Sequence, residues 1–212
     1  MKNILVTGAT GFIGRILCKK LKFQGMYPIQ LSSRQGCISS LDWTYLDNTE
    51  IDHVIHLAGI SFQKYGFDAI IDFLRVNVQG TINVLELCKK RAIGLTFLSS
   101  YVYGIPEKNP VSENALVKPN NGYMLSKVVA EHYCKFYAET FNIPVTILRP
   151  FNVYGPGQSK DFLLPKVIDL VENLKEIHIH TLKPQRDYVY VKDLVVAIIA
   201  SIKQRNGLNI LN

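Results

Sequence analysis

The hydrophobic positions of this chain fall into two alternating textures. Short, almost wholly apolar runs read as buried strands: Ile4–Thr7, Ile29–Ser32, His53–Ala58, Leu95–Ser99 and Val145–Leu148. Between them, apolar residues recur at three- and four-residue spacing, as on one face of a helix. That spacing predicts helices over Phe12–Gln24, ended by Gly25, over Asp68–Arg91, and over Tyr123–Phe141. Ser33–Thr49 is short and polar, and no full helix fits it. Strands alternating with helices in this way imply an α/β fold: a doubly wound parallel sheet covered on both faces, with ligands at the carboxyl ends of its strands.

After Arg149-Pro150 the texture changes. Asn152–Ser159 is rich in Gly and Pro and reads as a loop, Phe162–Asn173 as a helix, Glu176–Thr181 as strand-like and Val189–Lys203 as a helix. The last residues, Gly207–Asn212, read as a strand cut short. The expected organisation is a sheet domain over 1–150 and the start of a second, truncated region over 151–212.

A length of 212 residues with 48% hydrophobic content suffices for one sizeable core and the start of a second. No apolar run approaches the roughly 20 residues of a membrane span. Met1–Val6 leads straight into a strand pattern with no cleavage-like segment, so the cytoplasm is the expected compartment. Cys18, Cys37, Cys88 and Cys134 form no CxxC pair, and three of them fall in apolar helical patterns, where free buried thiols are common. The net charge is +7, much of it at predicted helix ends (Lys19, Lys20, Lys22, then Lys89, Lys90, Arg91), where it complements the helix dipole. No long basic run is present, which disfavours nucleic-acid binding. Anionic cofactors and substrates suit the same charge.

Thr7-Gly8-Ala9-Thr10-Gly11-Phe12-Ile13-Gly14 follows a strand and opens a helix. In that context Gly8 allows a tight turn, Gly11 a close approach to phosphate and Gly14 close helix packing. The helix N-terminus then offers N–H donors to a pyrophosphate. The reading is a dinucleotide cradle formed by Gly8, Thr10, Gly11, Phe12, Ile13 and Gly14. An NAD site usually has an Asp or Glu at the end of the second strand. Here Ser32 stands there, followed by Ser33 and Arg34, and Arg15 lies just past the glycine loop. The absence of a carboxylate and the two arginines favour NADP over NAD.

Tyr123 and Lys127 are four residues apart, on one helical face. A phenol of pKa near 10 is a poor base at neutral pH, and a neighbouring ammonium stabilises its phenolate. Ser99 and Ser100 end a buried strand at the ligand-binding edge; Ser99 is the expected partner of the reacting oxygen, and Ser100 fits a cap or turn. His53 and His56 read as packing or hydrogen-bonding residues. His178 and His180 alternate along a strand pattern without further ligands, so no metal site is expected.

With these residues in place, the chain resembles the extended short-chain dehydrogenase/reductase family, in its nucleotide-sugar epimerase/dehydratase branch. The motifs that carry the resemblance span nearly the whole chain. They are Thr7–Gly14, His56–Gly59, Asn77–Thr81, Ser99–Gly104, Tyr123–Lys127, Arg149–Pro156 and Arg186–Asp193. The resemblance implies a Rossmann-type fold in which Tyr123 is the general acid/base. Lys127 would bind the nicotinamide ribose and tune Tyr123, and Ser99 would be the catalytic Ser/Thr. It further implies that Asn77 supports the site, that Leu57, Ala58 and Gly59 line the cofactor, and that Asn152 and Arg186 meet the nucleotide diphosphate of a nucleotide-sugar substrate. A homodimer is expected by the same analogy, through the Asp68–Arg91 and Tyr123–Phe141 helices, which carry more apolar residues than one sheet face covers.

The chain departs from the family at Ser32, in the short segment before His53, and in its length, since family members continue to close the substrate pocket. The leading expectation is an NAD(P)-dependent nucleotide-sugar epimerase exchanging hydride at a sugar carbon, C4. An NADPH-dependent keto-sugar reductase is the alternative, and a truncated, non-catalytic dinucleotide-binding protein the second alternative. A 4,6-dehydratase ranks below the reductase: in family dehydratases an acid follows the Ser/Thr within two positions, and here those positions hold Ser100 and Tyr101.

Overall fold

The computed structural model describes residues 1–61, 69–173, 176, 185–204 and 206–212. Six parallel strands form the main sheet, in the order β2-β1-β3-β4-β5-β8. They are β1 (Asn3–Thr7), β2 (Tyr27–Leu31), β3 (His53–His56), β4 (Gly94–Leu98), β5 (Val145–Leu148) and β8 (Leu208–Leu211). A separate parallel ribbon joins β6 (Asn152–Tyr154) to β7 (Tyr188–Tyr190), with Val153 opposite Val189.

The helices are α1 (Phe12–Phe23), α2 (Gly80–Arg91), α3 (Gly122–Phe141), α4 (Leu163–Glu172) and α5 (Val191–Ser201). Local chemistry sets their ends. Lys20 and Lys22 stand in the last turn of α1, at the negative end of its dipole. The Asn121 side chain accepts from Met124 N at 2.8 Å and starts α3. A π-helical stretch, Phe73–Gln79, leads into α2, so the long helix predicted from Asp68 is not uniform; Asp68 lies outside the described residues.

Alternation along each strand builds two cores. Ile4, Val6, Ile55 and Leu148 face α1 and α5, where they meet Leu17, Leu21, Leu194 and Ile198. Leu5, Val54, Leu95, Phe97 and Ile147 face the other way, onto Val84, Leu85 and Cys88 of α2 and Ala130 and Cys134 of α3. His53 and His56 pack as expected: His53 Nε2 lies 2.8 Å from Thr96 Oγ1, and His56 Nδ1 lies 2.7 Å from Thr7 Oγ1.

Residues 33–52 hold two single 3₁₀ turns, Ser33–Gln35 and Thr44–Leu46, and no strand. The edge strand β2 is therefore followed directly by β3 on the far side of β1. That reversal opens a crevice at the carboxyl ends of β1 and β3, where ligands bind in such sheets.

Two expectations change. Asn152–Tyr154 is a strand rather than loop. α5 and β8 return to the sheet domain, because β8 pairs with β5 and α5 packs on α1, and Val153 of β6 and Val189 of β7 pack against the same core. Of the strand-like Glu176–Thr181 segment, the residues after Glu176 lie outside the described residues, as do His178 and His180. Among the described residues, no helix is long and apolar enough to cross a membrane.

Candidate active site

The glycine loop fits its expected role in shape. Gly8 has φ +68°, and a β-carbon there would lie 2.8 Å from Ala58 N, so the loop rests directly on the chain leaving β3. A β-carbon on Gly14 would collide with the Gly8 carbonyl oxygen, which is why α1 can start so close to the turn. Gly11 caps α1 in extended conformation with no side-chain cap, leaving first-turn N–H groups for an anion. Thr10, Phe12 and Ile13 complete this loop, and Phe12 and Ile13 also border the cavity described below.

Next to the loop, Leu57, Ala58 and Gly59 leave β3 at the crevice. Asn77, 1% exposed, holds them from the π-helical stretch. Its Oδ1 accepts from Ile60 N at 2.9 Å, and its Nδ2 donates to Ile60 O at 3.1 Å and to Ser126 Oγ at 2.9 Å. A β-carbon on Gly59 would approach Asn77 Oδ1 to 3.0 Å and Lys127 Nζ to 3.5 Å. Behind this loop runs a buried chain of hydroxyls and imidazole. Thr7 Oγ1 accepts from Ala58 N, leaving its proton for His56 Nδ1; His56 Nε2 lies 3.1 Å from Thr81 Oγ1, which donates to Asn77 O. Burial holds His56 down at about 3, so the ring is neutral, which this chain requires.

At the end of β2, Ser32 caps the turn Ser33–Gln35. Its hydroxyl accepts from Arg34 N, and its N–H donates to Gln35 Oε1 at 2.9 Å. No acid occupies this position, and Arg34 is exposed beside it. Arg15 does not join Arg34 as expected: its Nη2 donates to Gly157 O at 3.3 Å, on the loop after β6.

Tyr123 and Lys127 are brought together with the end of β4. Burial keeps the Tyr123 phenol above its usual range, and the neighbouring Ser100 side chain acts against that shift. The Lys127 ammonium donates to Leu98 O at 2.9 Å and lies 4.9 Å from the centre of the Phe97 ring. Burial brings Lys127 down to about 8, with Glu131 acting against the shift. Lys127 thus stays protonated at neutral pH, but its ammonium is spent on a backbone carbonyl, not on the phenol.

Ser99 borders the cavity, but its hydroxyl is engaged elsewhere. Leu95, Phe97 and Ser99 share the face of β4 that α3 covers. The Ser99 hydroxyl is turned into that layer and donates to Glu131 Oε1 at 2.5 Å. Ser100 is the hydroxyl against Tyr123. Sequence reasoning gave Ser100 only a cap or turn role, and it missed Glu131, although Glu131 follows Lys127 by four residues on the same helical face.

A cavity of about 520 Å³ opens beside these groups. It is lined by Phe12 and Ile13 of the glycine loop, by Ser99, Ser100 and Tyr123, and by Asn152, Gln158 and Arg186 around β6 and β7. Asn152 and Arg186 are thus placed together at its rim, although Asn152 Nδ2 donates to Asp187 O at 2.9 Å.

Comparison with known proteins agrees with this geometry. The model of the NAD dependent epimerase/dehydratase family matches residues 4–212. A dTDP-D-glucose 4,6-dehydratase of Dictyostelium discoideum is 32% identical, over 100% of this chain and 58% of its own length. The structure of MoeE5 in complex with UDP-glucose and NAD superposes with a TM-score of 0.90 at 30% identity, over 99% of this chain and 75% of its own. The UDP-glucuronic acid 4-epimerase from Bacillus cereus, in complex with UDP-glucuronic acid and NAD, gives 0.87 at 29% identity, over 99% and 76%. The chain therefore spans a little over half of that dehydratase and about three quarters of the two solved relatives. With its Rossmann-type sheet, glycine cradle and Ser-Tyr-Lys cluster, the chain belongs to the NAD dependent epimerase/dehydratase family.

Proposed function

We propose that the chain acts as an NAD(P)-dependent nucleotide-sugar epimerase that moves hydride at C4 of the sugar. The observation that carries this reading is the meeting of Ser100, Tyr123 and the glycine loop on one cavity, with Lys127 one turn along the helix from Tyr123. A bound nicotinamide supplies the hydride acceptor and donor. Tyr123 takes the proton of the sugar hydroxyl and returns it, while Ser100 holds the same oxygen. Lys127, with Gly59 beside its Nζ, is the group to meet the nicotinamide ribose. Gly8, Gly11 and Gly14, with the first turn of α1, hold the pyrophosphate, and Leu57–Gly59 and Asn77 line the cofactor. Asn152 and Arg186 meet the substrate diphosphate.

Epimerase is favoured over dehydratase by the carboxylates. Removal of a C5 proton and a C6 hydroxyl needs acid/base groups beside the serine. Tyr101 and Val102, which follow Ser100, supply none, and Glu131 is committed to Arg149 at 2.6 Å. The reductase reading rests on a separate observation: Ser32 and Arg34 suit NADP, whose reduced form drives net reduction. We propose NADP as the preferred dinucleotide and a cytoplasmic homodimer as the working form.

Incubation of the protein with UDP-glucose or UDP-glucuronic acid and either dinucleotide, with products read by NMR, tests the reading. A C4 epimer is expected. A 4-keto-6-deoxy product would reassign the chain as a dehydratase, and stoichiometric oxidation of NADPH by a keto-sugar nucleotide as a reductase.

A further inference from the structure

Tyr123, Lys127 and Glu131 are spaced four residues apart on α3 and share one face of it. The first two belong to the reacting site, whereas Glu131 is buried below it at 1% exposure. Lys127 donates to Leu98 O, and Ser99, the next residue of the chain, donates to Glu131 Oε1. Two successive turns of helix thus grip two successive residues at the end of β4. Glu131 is itself held by Arg149, whose Nε lies 3.0 and 3.2 Å from its two oxygens and whose Nη2 donates to Oε2 at 2.6 Å. Arg149 Nη1 donates onward to the Tyr103 hydroxyl at 2.8 Å and to Glu113 O at 3.2 Å.

A buried ion pair adds little net stability, because desolvation of two charges offsets their attraction, and apolar replacement is often neutral. The location of this pair is what calls for a reason. It fixes Ser99, and the residue after Ser99 carries the hydroxyl that meets Tyr123. We infer that the Glu131–Arg149 pair is a positioning device: it ties down Ser99 so that the Ser100 hydroxyl is held against Tyr123. Its purpose rests on the proposed reaction, but its geometry rests on the hydrogen bonds alone. Neither residue lines the cavity, and both act through Ser99 and Ser100.

The test is the titration of the Tyr123 phenol, followed by NMR of ring-labelled tyrosine in the whole chain, with and without NAD. Around that phenol stand the Ser100 hydroxyl, the Phe73 ring at 6.0 Å and, one turn along α3, Lys127. The Ser100 side chain favours the phenolate, so Ser100→Ala moves the titration upward and sets the full size of the effect. Glu131→Leu with Arg149→Met removes both charges at similar volume; it is expected to keep the wild-type melting temperature while shifting Tyr123 upward by most of that amount. Ser99→Ala cuts the tether, leaves the pair intact and should shift Tyr123 in the same direction. If Tyr123 titrates as in the wild type in both, the inference is overturned and the pair is structural; if the double variant does not fold, Ser99→Ala decides alone. Failure of the wild type to bind either NAD or NADP would count against the proposed function instead, and the cofactor-free titration would still decide the role of the pair.

Discussion

Asn77 Nδ2 donates to the Ser126 hydroxyl at 2.9 Å, joining the π-helical stretch to the helix that carries Tyr123 and Lys127. The Ser126 hydroxyl in turn donates to Tyr123 O at 2.7 Å. A π turn widens the helix locally and re-aims a side chain, and such turns are frequent at functional sites. Here it turns Asn77 inward, between the cofactor loop and α3.

Asn77→Ala therefore breaks three bonds at once and leaves the Ile60 N–H and C=O without that partner, while Ser126 keeps its bond to Tyr123 O. A loss of about 1–3 kcal/mol in stability is expected, read by urea unfolding. Dinucleotide affinity should fall with it, since the Leu57–Gly59 segment loses its anchor. Wild-type affinity in this variant would remove Asn77 from the cofactor site.

Tyr123→Phe keeps the ring and removes the proton. Turnover in a substrate-competent form should drop by about 10²–10⁴, with cofactor affinity little changed. Lys127→Ala should weaken both, because Lys127 stands beside Gly59 as well as on the helical face of Tyr123. Near-full turnover by Tyr123→Phe would reduce Tyr123 to a helix-face aromatic.

Arg34 stands exposed after a strand that ends in Ser32 rather than an acid. A charge-assisted pair to a 2′-phosphate contributes roughly 1.5–3 kcal/mol, so Arg34→Ala should lose that much NADP affinity and leave NAD unaffected. Ser32→Asp should reverse the preference. Calorimetric titration with both dinucleotides reads this directly; tighter NAD binding by the wild type sinks the assignment.

Acid should weaken the fold through two histidines. Burial lowers His53 from 6.5 to about 4 and His56 from 6.5 to about 3. As pH falls through 6.5, the unfolded chain takes up protons that the native state refuses, so stability is lost until the folded values are reached. Each histidine contributes a slope of about 1.4 kcal/mol per pH unit below about pH 6. Denaturant unfolding at several pH values should show this slope, and His53→Gln should remove one histidine's share.

Leu125, Tyr133 and Phe136 are 52%, 39% and 50% exposed along one side of α3. With Leu74, 54% exposed, they are the apolar surface on which the proposed four-helix contact between two copies would rest. Light scattering at micromolar concentration should give a dimer, and Phe136→Glu a monomer. A monomeric wild type would rule the dimer out.

Local pattern alone set much of this protein. Short, almost wholly apolar runs between helical patterns fit the strands of a sheet covered on both faces. The strand–glycine–helix order at Thr7–Gly14 fixes a phosphate-facing turn through backbone geometry, so the cradle could be read from residue types. The four-residue spacing of Tyr123 and Lys127 holds on any helix. Other features depend on which surfaces meet. The pairing of β8 with β5, and of β6 with β7, joins residues far apart in sequence, and four- and three-residue strands carry too weak a signal alone. Ser99 and Ser100 are the same residue type at adjacent positions. Only the packing of α3 on β4 decides between them, because it brings Glu131 and Arg149 under one hydroxyl and leaves the other facing Tyr123.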